Sequence, residues 1–109
     1  MTINVRKASL SPARRRLIEI FQQVNFGRLE PIVIEDGEPL FQPVPRIVRE
    51  IKLGGENGPR QELSMADFML KSQIVELFTY FDKLQNGTID VLEIKHGLPF
   101  RMIVEDKAA

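Results

Sequence analysis

The sequence predicts an α+β fold, a duplicated helix–hairpin unit. Its strands are expected in one largely antiparallel four- or five-stranded sheet with two helices on one face. Three observations lead there. One pattern recurs in residues 11–53 and 64–107 at an offset of 60, each copy opens on a helix-period apolar stripe, and each stripe precedes two β-rich runs around a turn dipeptide. At that offset Leu17 meets Leu77, Ile18 meets Phe78, Phe21 meets Phe81, Val24 meets Leu84 and Gly27 meets Gly87. Further on, Leu29 meets Ile89, Glu30 meets Asp90, Ile34 meets Ile94, Gly37 meets Gly97 and Pro39 meets Pro99.

The first helix has Ser11 as N-cap and Pro12 at its first position, where the missing N–H costs nothing. Leu17, Ile18, Phe21 and Val24 lie on one stripe, and Gly27 is expected to end it. "RLEPIVIEDGEPLF" then reads as a hairpin turning at Asp36–Gly37. Prolines 39, 43 and 45 suggest an edge strand or extended arm, followed by a strand from Arg46 to Leu53 and a flexible loop at 54–62. The second helix is expected to start early, with Ser64 and Asp67 resembling a capping box. Its stripe is Ile74, Leu77, Phe78, Phe81 and Leu84, and Asn86–Gly87 is its expected terminator. The second hairpin turns at His96–Gly97. Alternation fails at Ile32–Val33–Ile34 and Val91–Leu92, which suits either bulges near Pro31 and Val91 or a sheet buried on both faces.

The unit resembles the small, uncharacterised YezD-like bacterial proteins. Phe26–Gly27, Leu29, Ile32, Ile34 and Asp36–Gly37 carry the likeness, joined by Asn86–Gly87, Ile89, Ile94 and Gly97. It covers residues 14–50 and 72–105, and implies a fold without implying a function or any catalytic residue.

A chain of 109 residues suits one domain, 1–109, and its 43% hydrophobic content suits a folded one. With no cysteine there is no disulfide, thiolate metal site or thiol nucleophile. The start, "MTINVRKASLSPARRR", lacks the apolar core of a signal peptide, so the cytoplasm is the expected location. Fifteen basic and fifteen acidic residues cancel, yet residues 1–20 carry Arg6, Lys7, Arg14, Arg15 and Arg16 against Glu19 alone. Those five cations are the candidate nucleic-acid contacts, although three successive helical residues spread over about 200° of arc.

Residues 82–93 mimic part of a calcium loop. Asp82, Asn86, Thr88, Asp90 and Glu93 fall at ligand positions around Gly87. Leu84 stands where another oxygen is needed, and Gly97 and Pro99 leave no room for an exit helix. His96 and the Glu35, Asp36 and Glu38 cluster sit at hairpin tips without an enclosing cleft. "GENG" has no phosphate-loop spacing. The expectation is a non-enzymatic scaffold or adaptor, without cofactor, that self-associates and binds a protein partner. The alternatives are a nucleic-acid accessory protein using the basic helix and a degenerate EF-hand-like calcium binder. Two-residue turns would place Leu92 and Ile94 on one face with Ile103, and Val91, Phe100, Met102 and Val104 on the other. Together with Val33 and Leu40, this second apolar face predicts a homodimer.

Overall fold

The computed structural model describes residues 6–55 and 71–105. After a short 3-10 turn at Lys7–Ser9 come α1 (Pro12–Val24), β1 (Gly27–Glu30), β2 (Ile32–Glu35), β3 (Glu38–Leu40) and β4 (Arg46–Arg49). The second copy holds α2 (Ser72–Leu84), β5 (Gly87–Ile89), β6 (Val91–Lys95) and β7 (Leu98–Ile103). The architecture is α+β with an internal repeat, and both helices have 13 residues, starting 60 positions apart.

The strands form two antiparallel sheets rather than one, ordered β4-β1-β6-β7 and β3-β2-β5. The chain leaves the first sheet at Pro31 and enters it at Asp90, between the strands where alternation failed. Pro31 has no N–H to continue a ladder. The Asp90 N–H donates to the Ile103 carbonyl at 3.0 Å. Each copy therefore gives its first strand to the sheet that holds the other copy's hairpin. Leu29 of β1 pairs with Leu92 of β6, and Ile89 of β5 pairs with Ile32 of β2. Gly27 with Ile94 and Gly87 with Ile34 repeat that exchange, so an approximate two-fold relates the copies. The core lies between the sheets and helices, where Leu17, Ile18, Phe21, Leu29, Ile32, Ile74, Phe81, Ile89 and Leu92 have no measurable exposure.

Both turns form as expected, with Asp36 and Gly37 at φ 53° and 75° and His96 and Gly97 at 56° and 71°. Ser11 caps α1 by accepting from the Arg14 N–H at 3.2 Å, with Pro12 behind it. The helix ends differ from expectation. They fall at Val24 and Leu84, and the positive φ sits on Asn25 and Gln85 instead of glycine. Both residues centre tight γ-turns: the Phe26 N–H donates to the Val24 carbonyl at 2.8 Å, and Asn86 N–H to Leu84 at 2.6 Å. Each turn offers its central carbonyl to the other copy. The Gly97 N–H donates to Asn25 at 2.9 Å, and Gly37 N–H to Gln85 at 2.8 Å. These reciprocal bonds help to hold a backbone that a bulky residue adopts only under strain.

The copies part after their third strand. From Leu40 the chain leaves to lay β4 beside β1, whereas β7 continues along β6 to Ile103. Both additions enlarge the same sheet. β4 stops at Arg49, short of the expected Leu53. Lys71 is the N-cap of α2; the expected box at Ser64 and Asp67, and most of the loop at 54–62, lie outside the described residues. A register shift between Glu93 and Ile94 sets Met102 opposite Leu92 and Ile103 opposite Val91. The expected facing of these residues is thereby inverted, because one extra residue turns every later side chain over. Met102 and Val104 now pack against the core, and Val33, Leu40 and Val91 are half-buried.

Candidate functional site

Alternation along β1 and β6 sends Leu29, Leu92 and Ile94 inward and leaves Arg28, Glu30, Glu93 and Lys95 on the outer face of the four-stranded sheet. Register then aligns Val48, Arg28, Glu93 and Arg101 in one row, with Arg46 opposite Glu30. The result is a charge ladder. Arg46 and Arg28 both pair with Glu30, the second through Nε at 3.1 Å. Arg101 grips Glu93 with two bonds of 2.8 and 2.7 Å. The Arg46 hydrogen bond holds the Glu30 carboxyl below its ordinary pKa, against partial desolvation and with help from Arg28. The Arg101 bond does the same for Glu93, and Glu93 in turn raises Arg101.

Beside the ladder lies an open concavity of about 730 Å³, lined by Phe26, Gly27, Arg28, Val48, Ile94 and Phe100 together with the charged Arg49, Glu50 and Lys52. His96 stands at its rim with its ring 4.8 Å from that of Phe26, edge to face. The Lys95 ammonium lies 5.9 Å from the Phe100 centroid. Phe100 is 55% exposed and Ile103 47%, both on the outermost strand β7. At the other edge Ile47 is also exposed, in a four-residue strand that begins at Arg46 and ends at Arg49.

The five basic residues near the N-terminus are not assembled into a face. Arg14 turns into the protein: it donates to the Gly37 carbonyl at 2.8 Å, pairs with Asp82, reaches Glu38 at 3.7 Å and covers the Phe78 ring at 5.0 Å. The Lys7 ammonium is buried against Glu19 at 3.1 Å. Arg16 lies over Phe41 at 4.5 Å, Arg15 has a buried Nε with no hydrogen-bond partner, and Arg6 is exposed. The calcium-type residues are likewise dispersed. Asp82 is tied to Arg14, Asn86 accepts from the Asp36 N–H at 3.1 Å, and Glu93 is held by Arg101. Thr88 belongs to β5 and Asp90 to the step between sheets, so strands occupy the place of an exit helix. Among the described residues no three His, Asp or Glu side chains gather as a metal site would need.

The ladder arginines Arg28, Arg46 and Arg101, and Lys95 beside them, were not singled out by sequence reasoning. Their signal is the local alternation of charge with Leu29, Leu92 and Ile94, but only strand register shows that they share one surface. No family model, no curated protein and no solved structure matches this chain. No helix among the described residues is long and apolar enough to cross a membrane.

Proposed function

We propose that the protein is a non-enzymatic scaffold or adaptor that self-associates along β7 and binds a protein partner. The observation that carries this is the edge strand β7, which pairs only with β6 among the described residues, with Phe100 and Ile103 exposed and its one arginine already spent on Glu93. An open edge with apolar side chains is a template for another strand, and a second copy meets it isologously. The opposite edge, β4, has four residues against the six of β7 and begins and ends in arginine, which makes pairing there less favourable. The YezD-like resemblance is part of the same reading, with each copy running helix, two short strands, turn and returning strand. It also relocates the self-association: much of the apolar surface that called for a homodimer is half-buried by the second copy within the chain.

Light scattering on a size-exclusion column tests the proposal. The expected mass at micromolar concentration is twice the 12.5 kDa of the chain, falling to the single mass for Ile103→Lys. A monomer under those conditions, or a dimer indifferent to that substitution, contradicts it.

A further inference from the structure

We infer that the outer face of the four-stranded sheet binds single-stranded nucleic acid, with its cations on the phosphates and Phe26 and Phe100 beneath the bases. The charge balance of the face comes first. Arg28, Arg46, Lys95 and Arg101 stand against Glu30 and Glu93, which are already engaged by arginines, and the concavity adds Arg49 and Lys52 against Glu50. Arg28 uses Nε alone on Glu30, which leaves its terminal nitrogens for a further acceptor. The chain as a whole is neutral, so this excess is a local property, opposed by Glu35, Asp36 and Glu38 around the other sheet's turn.

The aromatic residues come second. An acidic peptide calls only for cations, but here two phenylalanines line a concavity of about 730 Å³ on the same face. Any base stacks on such rings, whatever its sequence, and cations along the groove follow the backbone. The concavity is open, which suits a splayed single strand; a duplex keeps its bases stacked inside. This reading needs no dimer, because every named residue belongs to one chain.

The test is fluorescence anisotropy of labelled oligothymidine, about 12 nucleotides long, across a salt series. Contact with about three phosphates gives a log–log salt slope near −2, and the double variant Arg28→Gln/Lys95→Gln lowers that slope by about 1.4. Phe100→Ser weakens binding by about five- to tenfold with the salt slope unchanged, as loss of one stacked base predicts. Ile103→Ser separates the two proposals, since it removes the apolar side chain used in self-association without adding a charge to this face, and leaves strand binding in place. Three results overturn the inference: no binding at low salt, equal binding of an acidic peptide, or binding abolished by Arg16→Ser and untouched by the sheet variants.

Discussion

Position 14 and position 74 occupy corresponding places in the two copies, and they are filled by opposite chemistry. Arg14 is 15% exposed and bridges α1 to the turn at Gly37 and to Asp82 of α2. Ile74 is fully buried in the core. Their counterparts changed with them: Asp82 is exposed, whereas Gln22, at the corresponding place in α1, is buried with its Oε1 unpartnered. One fold thus closes the same two-fold junction with a largely buried arginine and its ion pair at one end and with hydrocarbon at the other. The fold depends on junction geometry and tolerates either filling. A charged residue in a repeat is therefore weak evidence for a binding site until its counterpart is seen.

Glycine substitution separates the copies most strongly. A Cβ on Gly27 would stand 2.1 Å from the Val48 carbonyl of β4, and rigid backbone cannot yield. On Gly87 it would meet only the Leu84 methyl at 3.0 Å, because β5 has no counterpart of β4 beside it among the described residues. Gly27→Ala is expected to cost at least about 3 kcal/mol and to release β4, and Gly87→Ala about 1 kcal/mol or less. Urea unfolding of both variants checks the difference, and equal losses would break the comparison.

The two fillings of the junction come next. Ile74→Ala should cost about 3 kcal/mol through its cavity. Arg14→Ala should cost about 2 kcal/mol, because it strips the Gly37 carbonyl and the Phe78 ring of their partner. Added salt should narrow only the second loss, since it screens the Asp82 pair and not the core.

Helix capping offers a smaller contrast. Ser11 caps α1 with its hydroxyl and donates to Glu38 at 2.6 Å, whereas Lys71 gives α2 no side-chain cap. Ser11→Ala is expected to destabilise by about 1 kcal/mol and Lys71→Ser to stabilise by about 0.5 kcal/mol, read as opposite shifts in the thermal midpoint.

Acid should distinguish the sheets least, and in a known direction. Glu30 and Glu93 have folded-state pKa values below their ordinary ones, so their contribution is present above the ordinary carboxylate range and is lost as pH falls through the lowered values. The corresponding row of the other sheet, Thr88, Val33 and Leu40, carries no titratable group. Carboxyl NMR titration should show Glu30 rising toward its ordinary value in Arg46→Ala, with Glu93 unmoved.

Local signals made much of this fold legible. Ser11–Pro12 marked the start of α1, Asp36–Gly37 and His96–Gly97 marked the turns, and the offset of 60 marked the repeat. The pairing of the sheets was hidden because β1 with β6 and β2 with β5 join residues from different copies, and no local pattern encodes which strands meet. The γ-turns at Asn25 and Gln85 were hidden for a similar reason: their positive φ is supported by bonds from Gly97 and Gly37 far along the chain. The charge ladder was the least visible feature. Its five members come from four strands, and a bulge beside Glu93 sets the register that unites the last two.

The interleaving of the copies is the central claim, and amide–amide NOEs in labelled protein test it most directly. The interleaved fold predicts cross-strand contacts between Gly27 and Ile94 and between Gly87 and Ile34, with slow exchange at the Gly37 and Gly97 amides. NOEs joining β1 to β2 and β5 to β6 within each copy, with fast exchange at both glycines, would contradict it.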